Sequence, residues 1–384
     1  MSQATVSGRG AARWRRGHPW IYRSDVRVEP TGGAPGVVGV DDERGALLGS
    51  GLYSPTSEIR LRMLSRGDIA VDAEWWRDAI AGAAARRAGI RATAHRLVHS
   101  EADGLPSLVI DRYGPFVSVQ LLSAGLEAVR SAVLEAIEDV LAPTGIVLRN
   151  DVPVRDHESL PRVVETIGEI PELVEVDSDG VRMLVDLRGG QKTGAFLDQR
   201  ENQWLAGEVA GGDALDLFCY EGGFSLRMAS AADRVVSVDQ SARALSRLAE
   251  NAELNARGNI DAVQANAFDF LRSAETGGRS FRTIVLDPPA FARNRRALAR
   301  AMAGYKDLNL RALRLLDPGG HLLTFSCSYH VSRQAFEDML REAAADSGRR
   351  VVRVATLGAG RDHPDLLAVP ESSYLKGTLL QAIE

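Results

Sequence analysis

Cysteine and lysine are the scarce residues of this chain. Its 384 residues hold two cysteines, Cys219 and Cys327, and three lysines, Lys192, Lys306 and Lys376, among 46 basic residues. Two cysteines make neither a disulfide framework nor a zinc site, so no metal is expected and a cytoplasmic location is the default. No uninterrupted apolar run approaches the ~20 residues of a membrane span, and the first residues lack the apolar stretch of a signal peptide. The bias to arginine reads as coding composition. The three lysines then mark places where a compact ammonium suits better than a guanidinium fork.

What remains is an ordinary globular composition, 45% apolar and 25% charged, too long for one core and so expected to form two or three domains. The net charge of −5 argues against nucleic acid on average, but the charge is uneven. Residues 1–30 carry Arg9, Arg13, Arg15, Arg16, Arg23 and Arg27 against Asp25 and Glu29. Residues 291–314 carry six Arg and Lys306 against Asp307 alone, whereas residues 151–186 are acidic. Local basic surfaces can hold phosphates on an acidic protein.

Short strands broken by Gly and Pro read at Val37–Val40, Ala46–Gly49 and Ile59–Leu64, a small β-barrel over residues 1–70. Asp72 is placed to cap the following helix. Residues 71–186 read as α+β, with strands at Leu108–Ile110 and Phe116–Leu122, a helix near 125–142, and a hairpin turn at Asp177-Ser178-Asp179-Gly180. Over residues 187–384 strands and helices alternate. Strands at Ala214–Cys219, Arg234–Asp239, Ala262–Ala265, Arg282–Leu286 and Gly320–Ser326 argue for a doubly wound parallel sheet. Val351–Leu357 and Gly377–Ile383 would add strands at one edge.

Ligands of such sheets sit beyond the carboxyl ends of the strands. Asp216 to Ser225 follows the first strand, with Gly222 and Gly223 permitting a tight turn. It is not a GxGxxG loop, so a pyrophosphate cradle is poorly supported. Asp239, at the end of the second strand, suits the hydroxyls of an adenosine ribose, and Asn266 and Ala267 suit an adenine edge. Asp287-Pro288-Pro289 ends the fourth strand and Ser326-Cys327-Ser328 the fifth. A thiolate at Cys327 could attack an electron-poor carbon such as C6 of a pyrimidine, whereas Cys219 reads as a packed residue.

These segments resemble a known family. Gly190-Gln191-Lys192-Thr193-Gly194 running on to Asp198-Gln199-Arg200, the Asp216–Phe224 loop, Asp287-Pro288-Pro289, Gly304-Tyr305-Lys306-Asp307 and Ser326-Cys327-Ser328 are similar, in order, to the bacterial 23S rRNA cytosine-C5 methyltransferases of the class I type. Gly17-His18-Pro19-Trp20 and Tyr53-Ser54-Pro55 resemble that family's PUA domain. The resemblance implies an α/β chain: an N-terminal PUA-like β-barrel, a central α+β domain and a C-terminal Rossmann-like methyltransferase domain. It also implies S-adenosyl-L-methionine as cofactor, held by Arg200, Asp216, Phe218, Tyr220, Gly222, Gly223, Phe224, Asp239, Gln240, Asn266, Ala267 and Asp287. The implied partner is 23S rRNA or a large-subunit assembly intermediate, with no membrane. The apolar central domain is a candidate homodimer face.

On this resemblance Cys327 attacks C6 of a cytosine, Asp287 reads the N3/N4 edge, and Lys192 is the candidate cation for the thiolate. Ala290 stands where the family commonly has Lys, and Arg293 or Lys192 would substitute. Pro289 stands where some RNA cytosine methyltransferases carry a second Cys, so release uses another base. Lys306 is expected to meet RNA phosphate or Asp307. His363 reads as a loop acid or base or a surface residue, and His330 as packing. Arg13, Arg15 and Arg16 are expected to meet phosphates. The competing readings are an exocyclic-amine RNA methyltransferase, which would not need Cys327, and a non-catalytic rRNA binder that keeps the cofactor pocket.

Overall fold

The computed structural model describes residues 2–292 and 295–383, which form two compact units interleaved along the sequence. The first takes residues up to Asp179, then Val185–Leu197 and Asp362–Ser372. The second takes Gly180–Leu184, Asp198–Arg361 and the residues from Ser373 onward. Segments 187–197 and 362–372, which the strand–helix alternation groups with the C-terminal domain, therefore pack in the first unit. Long-range hydrogen bonds, invisible to local pattern, hold them there.

In the first unit, β1 (Gln3–Val6), β2 (Trp20–Tyr22), β3 (Val26–Val28), β4 (Gly36–Asp42), β5 (Leu47–Tyr53) and β6 (Ile59–Arg66) make one sheet in the order β2-β6-β5-β4-β1-β3. Val6, Ile21, Val40, Leu61 and Met63 form its core, joined by Trp14 of α1 (Gly8–Arg15). Gly49 is required where β5 meets β6. At φ +142 a Cβ would lie 1.9 Å from the Ser65 carbonyl oxygen.

A second sheet follows, β7 (Ala94–His99), β8 (Leu108–Tyr113), β9 (Phe116–Leu121), β10 (Gly145–Asn150) and β11 (Val163–Gly168), in the order β11-β10-β9-β8-β7. α2 (Ala73–Ala85) begins at Asp72, whose side chain accepts from the Trp75 amide. The helix expected near 125–142 is two helices, α3 (Ala124–Glu127) and α4 (Arg130–Leu141), because Val129 leaves helical geometry at φ −110, ψ 18. Trp76, Ile80, Val133 and Ile137 share one core with this sheet.

Buried charge stitches these parts of the first unit. Arg62 on β6 donates to Glu158 at 2.7 Å, and the same carboxylate takes the Ser57 hydroxyl and, at 3.1 Å, the Ala124 amide. Arg87 grips Asp103 with both terminal nitrogens at 2.6 and 2.8 Å, and Arg96 grips Asp111 at 2.7 and 2.8 Å. Segment 187–197 joins this network through Thr193, which bonds Asp111 and Tyr113. Segment 362–372 joins it through Asp362, which accepts from the Arg96 amide at 3.0 Å and from Arg87 at 3.0 Å. β12 (Val174–Ser178) closes the first long stretch. Asp179 and Gly180, both at positive φ (50° and 90°), then turn the chain into β13 (Val181–Val185), as a tight turn requires.

The second unit is a seven-stranded sheet. Its parallel strands are β14 (Asp213–Leu217), β15 (Arg234–Asp239), β16 (Ile260–Gln264), β17 (Phe281–Leu286) and β18 (Leu316–Ser326). β19 (Val351–Leu357) and β20 (Lys376–Ala382) add antiparallel strands, giving the order β16-β15-β14-β17-β18-β20-β19. The helices are α5 (Arg200–Val209), α6 (Gly223–Met228), α7 (Ala242–Leu254), α8 (Ala267–Thr276), α9 (Leu298–Leu315) and α10 (Arg333–Ser347). The strand order reverses between β14 and β17, and a crevice forms at such a switch point. Among the described residues, no helix is long and apolar enough to cross a membrane.

Candidate active site

The chain leaves β14 under strain. Phe218 (φ 66) and Tyr220 (φ 49) are both left-handed, as is Gly222 (φ 92), at about 1 kcal/mol or more for each non-glycine residue. The loop is held from β15, where Asp239 accepts from the Tyr220 amide at 3.0 Å and from the Ser241 amide at 2.8 Å. The same carboxylate is only half-buried and keeps acceptor capacity for hydroxyl groups.

Gly222 and Gly223 make the tight turn expected of them, and it leaves no room for a side chain. A Cβ at Gly222 would lie 2.1 Å from Leu248, and one at Gly223 2.3 Å from Gln203, so both serve the turn and its packing. Phe224, expected beside a cofactor, is buried in the core and stacks on Phe325 at 5.7 Å. Ala267 is likewise a core residue. Asn266 is exposed and spends its side-chain oxygen capping α8 at the Phe268 and Asp269 amides. Gln240 is exposed, and its carbonyl accepts from Gln264. Arg200 is buried and pairs with Glu201 at 3.3 Å, while Asp198 accepts the Tyr374 hydroxyl at 2.7 Å.

Beneath the loop, Asp216 is fully buried. One oxygen accepts from Ser225 at 2.6 Å, and the other has no hydrogen-bond partner among the described residues. Burial pushes this carboxyl up to about 7, and Asp287 and Asp239 push the same way against the Ser225 hydrogen bond. Three carboxyl groups thus gather at the ends of β14, β15 and β17. That field favours a ligand carrying positive charge, and the half-buried Asp239 suits a ribose diol. A nucleoside with a sulfonium and an ammonium group fits both.

Asp287 follows β17, and Cys327 follows β18, which pairs in parallel with it through Leu286 and Thr324. The Cys327 thiol donates to the Pro288 carbonyl at 3.9 Å, so the thiol sits against the Asp-Pro-Pro turn. Beside it, Ser328 bonds the Tyr305 hydroxyl at 2.9 Å, and the Tyr305 ring lies 4.8 Å from Phe291. Burial raises the Tyr305 hydroxyl. Cys219 is buried, and that burial holds its thiol well above the ordinary range.

Other expected residues make contacts of their own. Lys192 belongs to the first unit, where it adopts φ 53 and sets its ammonium 4.5 Å from the centre of the Phe196 ring. Lys306 pairs with Glu342 at 3.0 Å and Asp346 at 2.9 Å, while Asp307 pairs with Arg311. The expected pair with Asp307 is thus replaced by ion pairs to α10. Asp362 and His363 are buried in the first unit, with His363 Nδ1 3.1 Å from Asp362 and its ring 5.1 Å from His99. His363 is therefore not a surface residue. Burial, with Arg96 and His363 adding to it, holds His99 far below its usual 6.5. His330 stacks edge-on against Tyr329, which is exposed. Arg13 and Arg15 are engaged by Asp25 and Asp42 at 2.7 Å each, and Arg16 remains exposed. Ala290 is exposed, and Arg293 lies outside the described residues.

Sequence reasoning missed a role for Lys376. It is buried opposite Ser326 and donates to the Ser328 and Tyr374 carbonyls at 2.7 Å each. Its rarity as a lysine was the available signal.

Comparison with known proteins agrees with this architecture. Residues 4–66 match a PUA-like domain family, and residues 142–380 match the S-adenosylmethionine-dependent methyltransferase family. The ribosomal RNA large subunit methyltransferase I of Tolumonas auensis is 38% identical over 386 residues, covering 96% of each chain. A solved candidate S-adenosylmethionine-dependent methyltransferase from Streptococcus mutans shares 20% identity and superposes with TM-score 0.82 over 99% of this chain and 100% of its own. SMU.776, a candidate methyltransferase complexed with S-adenosylhomocysteine, gives TM-score 0.85 at 21% identity over 99% and 100%.

Proposed function

From its membership of the ribosomal RNA large subunit methyltransferase I family, a PUA-like domain with an S-adenosylmethionine-dependent methyltransferase domain, we propose that this chain methylates C5 of a cytosine in 23S rRNA. Cys327 is the nucleophile. The observation that supports this reading most directly is the Cys327 thiol lying 3.9 Å from the Pro288 carbonyl, beside a carboxylate able to hold a cytosine edge.

When bound, S-adenosylmethionine supplies an electrophilic methyl group. The chain does the rest. Asp239 accepts from the ribose hydroxyls, and the Phe218–Gly222 loop shapes the pocket that Asp216 underlies. Asp287 accepts from the cytosine amino group or shares a proton at N3, which fixes the ring over the thiol. Cys327 adds to C6, and the electron pair released from the C5–C6 double bond makes C5 nucleophilic. After methyl transfer, loss of the C5 proton and departure of the thiolate restore the ring. The PUA-like sheet and the exposed Arg16 bind the RNA backbone, and folded rRNA offers its unpaired bases. The substrate is naked rRNA or an assembly intermediate in the cytoplasm.

Nucleoside mass spectrometry of unmodified 23S rRNA after incubation with the protein and S-adenosylmethionine tests this. We expect 5-methylcytidine with the native chain and a loss of at least about 10³-fold with Cys327→Ala, the scale of removing a covalent nucleophile. Full turnover by Cys327→Ala would end the covalent scheme. A methylated amine as product would move the chemistry to the exocyclic nitrogen.

A further inference from the structure

Three groups meet where β18 ends. Ser326, the last paired residue of β18, faces Lys376 at the start of β20. The Lys376 side chain is buried, and its Nζ donates to the carbonyls of Ser328 and Tyr374 at 2.7 Å each. Cys327 lies between Ser326 and Ser328, so the amine is bound to the residue after the thiol and stems from the partner of the residue before it.

The hydrogen-bond count is informative. A neutral amine has two N–H donors and one lone pair, whereas an ammonium has three donors. Two carbonyls occupy two donors in either form, and the third position is the one that changes. We propose that Lys376 takes the proton of Cys327 as the thiol attacks C6 of the cytosine. This rests on the reading of Cys327 as nucleophile and adds a proton acceptor, a role distinct from that of the cation expected at Lys192.

The step balances. The S–H bond breaks and its proton joins the Nζ lone pair. The sulfur pair forms the S–C6 bond, and the C5–C6 π pair moves to C5 for methyl transfer. On release a separate base takes the C5 proton, the C5–H pair re-forms the double bond, the S–C6 bond breaks with its pair leaving on sulfur, and the ammonium returns its proton to the thiolate. The surroundings support such an exchange. Burial lowers the Lys376 ammonium to about 8, Cys327 beyond β18 raises it, and Arg333 in the first turn of α10 lowers it. Tyr305 on α9 approaches the same corner through Ser328.

The test is the rate at which iodoacetamide alkylates Cys327, followed by peptide mass from about pH 5.5 to about pH 9.5 in the native chain and in Lys376→Met. Cys219 is distinguished by its own peptide. At pH 7 we expect the native thiol to react at least ~10-fold faster than that of Lys376→Met, whose profile rises only near the ordinary thiol value of about 8.5. Superimposable profiles, with S-adenosylhomocysteine still bound by the variant, overturn the proposal. If the variant does not bind it, the native profile decides, and an inflection at or above about 8.5 overturns the proposal. Cys327→Ala separates the two levels of the argument. Turnover by that variant defeats the nucleophile itself, whereas an inactive Cys327→Ala with superimposable alkylation profiles defeats only Lys376.

Discussion

The two units spend buried charge in opposite ways. In the first, buried carboxylates meet arginine forks: Glu158 with Arg62, Asp103 with Arg87, Asp111 with Arg96. In the second, the strand ends collect Asp216, Asp239 and Asp287, and one Asp216 oxygen lacks a partner among the described residues. A satisfied pair lowers the energy of one arrangement and is inert. A crowded acid cluster raises the energy of the empty site and is relieved by what binds there. The first pattern holds a fold together. The second prepares a pocket.

If that contrast is right, Glu158→Ala should have the largest effect on stability. It strands the Arg62 guanidinium and takes the acceptor from Ser57 and Ala124. Breaking a buried pair in this way costs about 3–5 kcal/mol, which urea unfolding would read. A loss below about 1 kcal/mol would mean that the pair is not the stitch it looks to be.

Asp216 should act with the opposite sign. Its folded value of about 7 lies above the ordinary 3.8, so the folded chain holds a proton that the unfolded chain has released. Stability without cofactor therefore falls as pH rises from about 4 to about 7 and is flat above. Three pH units correspond to at most ~4 kcal/mol. Asp216→Asn should flatten that slope and raise stability at pH 8, and an unchanged slope would remove Asp216 from the acid cluster.

The smallest effect concerns backbone strain away from the pocket. Ala142 ends α4 in the left-handed region, at φ 43 and ψ 52, and is exposed. Ala142→Gly should stabilise by about 0.5–1 kcal/mol, measured as a rise in melting temperature. The same relief at Tyr220 would alter a loop that shapes the pocket, so strain is removable in one region and not in the other.

Much of this was legible in the sequence because period and turn chemistry are local. The parallel strands, the Asp72 cap, the turn at Asp179-Gly180 and the meeting of Cys327 with Asp-Pro-Pro all follow from spacing and from the rule that ligands sit at strand ends. The rest depends on contacts between distant residues. Nothing local to Lys376 says that β20 inserts between β18 and β19, which carries that lysine to Ser326. Nothing near Lys306 announces Glu342 and Asp346. The glycine pair was legible as a turn, but its tightness is owed to Leu248 and Gln203, both on neighbouring helices. The break at Val129 was hidden because the apolar period runs through it.

The interleaving has a consequence for how the chain is born. It passes between units at 179/180, 184/185, 197/198, 361/362 and 372/373. Asp362, which binds the Arg96 amide and the Arg87 guanidinium, leaves the ribosome 266 residues after Arg96. At ~5–20 residues per second that is a wait on the order of 10–50 s. Once β12 has emerged the first unit has its sheets but still lacks the Asp362 contacts of Arg87 and Arg96, which form only when nearly the whole second unit has been made.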